Sequence, residues 1–238
     1  MEPESTSLLQ VVERQCRRWE LLREERARAA ATDTHWPIVT ISREFGSLGE
    51  ALGRALAEEI GFSFWDRELV QAIAEESGAN ERILRSLDEH RRNSVLDSLE
   101  GAFLGGKYMN SEYVRNLVKL IRTIAVHGSS VVVGRGAHYV VGADDALRVR
   151  VVCPLEKRVR SYSERHSVPL EQARKLVARR DEERSTFARH IFARNVDEPA
   201  DFDVIVNTGT IPTQRAMEII LAAYAAKFER RPPSKSSR

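Results

Sequence analysis

The chain has 238 residues, with 37 Lys and Arg against 35 Asp and Glu and a formal net charge of +2. A chain of this length buries on the order of 70–75% of its unfolded surface, so it holds a core without disulfide or metal, and its low net charge with ordinary apolar content excludes disorder as the main state. The near-neutral balance argues against a nucleic-acid partner, no apolar run approaches the ~20 residues of a membrane span, and Cys16 and Cys153 have no CxxC partner, so a reducing cytoplasm is the expected setting.

The opening segment, MEPESTSLLQVVERQC, lacks an apolar stretch followed by a small-residue cleavage site, and no signal peptide is expected. Residues 5–31 predict one long helix, because Leu8, Val12, Cys16, Trp19 and Leu22 recur at three- and four-residue steps. That apolar stripe has two uses open to it: packing on its own domain, or pairing two copies of the chain as a homodimer. Thr32 to Trp36 breaks the helix, so residues 1–35 form an N-terminal extension.

From Pro37 the pattern changes. Pro37 to Ile41 is a β-branched run and predicts a buried strand. A loop from Ser42 to Gly49 follows, then a helix from Glu50 to Ile60 closed by Gly61. Phe62 to Trp65 predicts a second strand ending at Asp66, and Arg67 to Ser77 a helix. Residues 79–127 are expected to be mostly helical, interrupted by a mobile loop over Gly101 to Asn110. Ser130 to Val133 predicts the third strand, running into Gly134-Arg135-Gly136, and Ala146 to Cys153 the fourth, stopping at Pro154. Helices are expected over Leu155–His166 and Pro169–Phe192, a fifth strand over Phe202–Val206 and a last helix from Pro212 to about Phe228. The Pro-, Ser-, Lys- and Arg-containing tail, 230–238, is expected to be disordered.

Short apolar strands alternating with helices predict an α/β fold: a five-stranded parallel sheet with helices on both faces, forming a three-layer sandwich. Ligands of such sheets sit beyond the C-terminal strand ends. Those ends are marked here by Arg43–Gly49, Asp66, Gly134-Arg135-Gly136 and Pro154.

The segment Arg43-Glu44-Phe45-Gly46-Ser47-Leu48-Gly49-Glu50 joins strand to helix through a glycine-containing turn, the geometry that aims free backbone N–H groups at an anion. A helix N-terminus alone contributes about 0.3–2 kcal/mol, so a phosphate here needs fixed cations as well. Counted from Gly46 against GxxxxGK[ST], the loop carries neither the lysine for the β/γ-phosphates nor the hydroxyl for Mg²⁺. Arg43, at the strand end, is the nearest substitute. Gly101 to Lys107, GAFLGGK, matches GxxxxGK in letters, but it follows a helical pattern and ends on Tyr108, so it is read as a loop.

Five segments in register resemble the cytidylate kinase-like family, a branch of the P-loop nucleoside monophosphate kinases. They are IVTISREFGSLGEALGRALAEEIGFSFWDRELV, VVVGRGAHYVV, ALRVRVVCPLEKRVRSYSER, LVARRDEERSTFARH and DFDVIVNTGTI. The resemblance covers most of residues 37–225 and implies one kinase-like domain over 36–229. Within it, an acceptor-side helical insertion is implied at about 66–127 and a lid at about 155–195.

The resemblance also implies roles. Gly46, Ser47, Leu48, Gly49 and Glu50 would hold the donor phosphates of ATP, with Mg²⁺ arriving on the nucleotide. Leu48 stands where that branch of the family has Gly. Asp66 and Arg135 would face the acceptor, and Gly136 replaces the Asp of the family's Gly-Arg-Asp motif. The lid is rich in arginine, with Arg158, Arg160, Arg165, Arg179, Arg180, Arg184 and Arg189. Arg43, Arg184 and Arg189 are the implied catalytic cations, since guanidinium groups clamp phosphoryl oxygens two at a time. Arg158 and the Arg180-Asp181 pair are implied lid elements. No histidine has metal-type spacing. The reading is an ATP-dependent phosphotransferase acting on a nucleoside monophosphate or similar small acceptor. The alternatives are a catalytically impaired nucleotide-binding regulatory module and an interaction protein.

Overall fold

The computed structural model describes residues 7–28, 35–103 and 111–233. Among them the strands are β1 (Ile38–Arg43), β2 (Ser63–Trp65), β3 (Ser130–Val133), β4 (Ala146–Val152) and β5 (Val204–Asn207). The helices are α1 (Leu8–Arg28), α2 (Gly49–Ile60), α3 (Arg67–Glu75), α4 (Ser77–Arg85), α5 (Glu89–Phe103), α6 (Glu112–His127), α7 (Ala137–Val140), α8 (Leu155–His166), α9 (Leu170–Phe192) and α10 (Thr213–Phe228). The strands form one parallel sheet in the order β2-β3-β1-β4-β5. The expected α/β class, with its five parallel strands and N-terminal helix, is what the structure has.

The layers follow from the two-residue period of the strands. Ile38, Val132 and Ala146 face one way and join Trp65, Val70, Ile73, Leu117, Ile121 and Ile124 in a core under α3, α4 and α6. Val39, Ile41, Val131, Val133, Leu147, Val149 and Val151 face the other way, against Leu52, Leu56, Ile60, Ile220 and Tyr224 of α2 and α10. Where both faces are covered, in β1 and β3, the strands read as nearly continuous buried runs, whereas β4 carries Arg148 and Arg150 and Ile205 of β5 is exposed. The central β1 registers with β3 at Ile41↔Val133 and with β4 at Arg43↔Val151. The chain turns to opposite sides of the sheet from β1, which opens a crevice at its C-terminal end.

Helix α1 lies on its own domain. Val12 and Trp19 are buried, and Trp19 stacks on Trp65 and His127 at ring-centroid distances of 5.5 and 3.7 Å. Gln15 Nε2 donates to Ser63 Oγ at 2.7 Å, and Arg18 Nη2 to the Gly61 carbonyl at 2.6 Å. The helix thus covers the β2 edge, which would otherwise invite pairing by another strand. Of the stripe offered for a homodimer, Leu8, Val12, Cys16 and Trp19 pack against the chain's own core, the side chain of Leu22 lies outside what is described, and Leu9 and Leu21 are left exposed.

Several boundaries differ from expectation. The loop expected from Gly101 is corrected at its start, since residues 101–103 end α5; one glycine in a helix costs only about 1 kcal/mol, which the rest of the helix can absorb. The remainder of that expected loop, 104–110, lies outside the described residues, as do 1–6, 29–34 and 234–238. The expected strand over Phe202–Val206 is shifted to Val204–Asn207, and β1 runs two residues further, carrying Arg43 onto the sheet. The tail begins with Arg230 donating to the His35 carbonyl and lying 4.4 Å over the Trp36 ring.

Candidate active site

The β1–α2 loop is built as a turn in which the Glu44, Phe45 and Ser47 amides are bonded within the chain, while those of Gly46 and Leu48 have no hydrogen-bond acceptor among the described residues. Gly46 and Leu48 take left-handed φ of 80° and 63°, and Leu48 caps α2 without a side-chain hydrogen bond. A non-glycine residue there costs roughly 1–2 kcal/mol. Gly49 is tight for another reason: a Cβ on it would lie 2.6 Å from Arg43 Cβ. The Ser47 side chain turns inward, its hydroxyl donating to the Glu44 carbonyl at 2.9 Å. The Phe45 amide donates to Asp181 Oδ1 of α9 at 2.7 Å, so a carboxylate of the chain already occupies that donor. Glu50 is exposed. The amides of Gly49, Glu50 and Ala51 open α2 and have no intrahelical acceptor.

The loop is bolted to the helices behind it by Arg158, on α8, with only 5% of its surface exposed. Its Nε donates to the Cys153 carbonyl at 2.7 Å and its Nη1 to the Phe45 carbonyl at 3.0 Å and Asp181 Oδ2 at 2.5 Å. Glu44 Oε2 lies 3.5 Å from Arg158 Nε and accepts from the Cys153 amide at 2.7 Å. Arg158 and Asp181 therefore hold the loop, β4 and the α8–α9 pair in one network.

Beside this network two small cavities adjoin. One, about 200 Å³, lies between the ends of β1 and β3 and is lined by Ser42, Arg43, Arg67, Arg135, His138 and Arg184, with Tyr139 and Phe187 among its walls. The other, about 240 Å³, shares Arg43 and Arg184 and adds Glu44, Arg150, Asp181 and Asp197. Gly46, Ser47, Leu48, Gly49 and Glu50 line neither.

The cations are the distinctive feature. Burial, aided by the repulsion of Arg184, pushes the Arg43 guanidinium down to about 10, and among the described residues no hydrogen bond or ion pair engages it. Its Nη1 fills the space in which Gly134 would carry a side chain. Burial likewise pulls Arg184 down to about 10, against the attraction of Asp181. Arg184 Nε and Nη1 make no hydrogen bond; Nη1 is 3.6 Å from Asp181 Oδ1 and the guanidinium carbon 5.2 Å from the Phe45 ring centroid. Arg135 is lowered by burial too. It donates to Gln71 Oε1, leaves Nε unpartnered and lies 5.1 Å over the Phe187 ring. Its backbone has φ 52° between Gly134 at 84° and Gly136 at 66°, a left-handed run that aims the side chain into the crevice and that only flanking glycines tolerate. Like charges held this close with donors unmet are costly unless an anion completes them.

Other expected residues are placed elsewhere. Asp66 caps α3, accepting from the Leu69 amide at 2.9 Å and lying 3.5 Å from Arg54 Nη2. Arg180 and Arg189 are exposed and paired with Glu183 and Glu182. The structure adds Arg67, whose Nη2 is 2.9 Å from Glu68 Oε1, and Arg150, which donates to Ser42 Oγ at 2.9 Å and to Asp197. It also adds His138, 7% exposed, with Nε2 buried and unpartnered. Burial, with Arg150 and Arg148 nearby, pushes the His138 imidazole down to about 3.

That histidine stays neutral in the fold but takes up a proton when the chain unfolds below its ordinary value of 6.5. Because the unfolded state binds the extra proton, its contribution is fully present above 6.5 and is lost as pH falls toward 3, at about 1.4 kcal/mol per pH unit. Denaturant unfolding of the wild type and of His138→Phe is expected to diverge by about 2 kcal/mol between pH 6.5 and pH 5, the wild type losing more. Parallel pH profiles would refute this assignment.

Among the described residues no group of three or more His, Cys, Asp or Glu is arranged to hold a metal, and both cysteines are free. No helix among them is long and apolar enough to cross a membrane.

Residues 38–210 match the profile described as the cytidylate kinase-like family. A solved structure described as an uncharacterized protein from Eubacterium ventriosum superposes with TM-score 0.63 at 20% identity, covering 80% of this chain and 98% of that one. A shikimate kinase from Bacteroides thetaiotaomicron gives TM-score 0.42 at 12% identity over 82% and 99% of the two chains, too distant to bear on function. Over 105 residues the chain is 25% identical to a uronate isomerase of Corynebacterium glutamicum, an alignment that takes in 44% of this chain and 20% of that protein. The chain thus spans about a fifth of the length of that curated relative.

Proposed function

The chain belongs to the cytidylate kinase-like family, and we propose that it is an ATP-dependent phosphotransferase that moves the γ-phosphoryl group to a small phosphorylated acceptor bound in the β1–β3 crevice. The observation that carries this reading is the convergence of Arg43, Arg67, Arg135 and Arg184 on one cavity, with Arg43 buried and without a hydrogen-bond partner and the half-buried Arg184 facing only Asp181, its Nε and Nη1 making no hydrogen bond. Phosphoryl transfer asks a protein mainly for position and for charge stabilisation, with no covalent intermediate. Arg43 and Arg184, shared by both cavities, stand where a migrating group would pass from one to the other. Arg43 supplies the cation that a lysine supplies in a full Walker loop. The opening amides of α2 add donors for the nucleotide phosphates.

The donor set fits Mg²⁺ only as a passenger of the nucleotide, since Asp181 and Asp197 are committed to Arg158 and Arg150 and no metal-type cluster is present among the described residues. Mg²⁺ arriving with ATP would neutralise charge on the phosphates while keeping most of its waters. The free cysteines suit the cytoplasm.

A coupled ADP-release assay tests the reading. With Mg²⁺–ATP and a panel of nucleoside monophosphates and small phosphorylated or hydroxylated acceptors, ADP release is expected to depend on one acceptor class. Saturable anion binding without ADP release for any acceptor would instead support the second reading, a nucleotide-binding regulatory module. That reading draws on the inward Ser47 hydroxyl and the Phe45 amide already held by Asp181.

A further inference from the structure

We propose that the acceptor is a compact sugar or polyol phosphate, recognised through its anionic oxygens and hydroxyls, and not a nucleotide read through its base. This rests on the transferase reading of the same crevice. The first reason is steric. At position 136 a Cβ would run into the ring of Phe192, at the end of α9. No side chain, and so no carboxylate, can stand at position 136, because the space is filled by phenyl and the glycine's φ of 66° strains any replacement.

The second reason is the sign of the free groups. The cavity's charged walls are guanidinium donors, and its one carboxylate, Glu183, is engaged by Arg179 and Arg180 at 3.1 and 2.9 Å. The Gln71 carboxamide, the side chain nearest to a base reader, is tied at both ends, accepting from Arg135 and donating to Glu75 at 2.7 Å. Asp66 is spent as the α3 cap. A base carrying an amino group would find donors facing donors, which costs more than a missing contact. His138 lies among the walls with its Nε2 enclosed and unpartnered, and it adds no charge to offset the guanidinium groups.

The third reason is size. The lobe on the Arg67 and Arg135 side holds about 200 Å³, below the roughly 300–1,000 Å³ of pockets that take drug-sized ligands. A phosphate with a short polyol fits within that volume, whereas a base would have to extend beyond the lobe, as the nucleoside of ATP must extend beyond the adjoining lobe of about 240 Å³.

The experiment compares cytidine 5′-monophosphate with ribose 5-phosphate, the same molecule without its base. Each is titrated calorimetrically into the full chain without ATP. Ribose 5-phosphate is expected to bind at least as tightly as the nucleotide, and Arg67→Ala and Arg135→Ala are each expected to weaken it about tenfold. Tenfold or greater preference for the nucleotide would overturn the inference while leaving the transferase reading intact. Ribose 5-phosphate binding without ADP release for any acceptor would overturn the transferase reading and leave this recognition standing. Failure of both probes to bind would overturn the inference, and ADP release with another acceptor would still leave the transferase reading intact.

Discussion

Arg43→Met is expected to yield a more stable protein that no longer turns over. Arg43 is 8% exposed, loses hydration on folding, and faces Arg184 rather than a counter-ion in hydrogen-bond contact. Methionine fills a similar volume with no charge to desolvate. Replacing buried charge by a well-packed apolar side chain stabilises by roughly 1–4 kcal/mol. The same change removes the cation shared by the two cavities, and losing one preorganised stabiliser of developing charge costs about 10²–10³ in rate. Denaturant unfolding and the ADP-release assay together check this. A variant that loses stability, or keeps its full rate, would show that Arg43 is a structural residue. A gain of stability with loss of rate is the mark of a site held against the preference of the fold.

Arg158→Ala is expected to act in the opposite direction. Its guanidinium is shared among Cys153, Phe45, Asp181 and Glu44. Its removal leaves Asp181 and Glu44, both only partly exposed, without their main cation. Breaking a buried pair by deleting one partner costs about 3–5 kcal/mol. The loss should concentrate where the loop meets α8 and α9. Hydrogen exchange of the Phe45 and Cys153 amides is then expected to accelerate more than that of Val132 or Leu147 in the sheet. A loss below about 1 kcal/mol, or uniform acceleration, would mean that the network does not anchor the loop.

The two variants separate roles that the arginine-rich lid sequence leaves merged. Arg158, Arg180, Arg184 and Arg189 all read as candidate clamps, yet only Arg184 lines the cavities. On α9 the side chains of Ala173, Val177 and Ala188 are buried. Arg184 lies within that stripe, whereas Arg189 is turned about 100° from Ala188 and meets solvent. The helical period therefore carried the signal, and the even spread of arginines hid it. Arg158 sits next to Val159 on the buried side of α8, which marks it as a bolt once the helix is placed.

The strands were legible because both faces of the sheet are covered, so β-branched runs between Gly and Pro stand out. The four-residue α7 and the turn at Pro199–Asp201 are too short to set up a period. In the site, Arg43 and Arg135 were legible because Arg43 ends β1 and Arg135 follows the end of β3 by two residues, both at the C-terminal ends of the strands. Arg67 was not, because it begins a helix of ordinary charge pattern and reaches the cavity only through the packing of α3 against α6. The filling of position 136 by Phe192 was out of reach as well, since 56 residues separate the glycine from the ring that closes on it only in the folded chain.

Crystals grown with saturating pyrophosphate test the account most directly. The prediction is electron density for the anion in the β1–β3 crevice, within hydrogen-bond distance of the Arg43 and Arg184 guanidinium groups and with Arg135 Nε turned toward it. Pyrophosphate found elsewhere on the molecule, with Arg43 still without a hydrogen-bond partner and the crevice filled by water, would contradict the claim that these cations exist to hold a phosphate-bearing ligand.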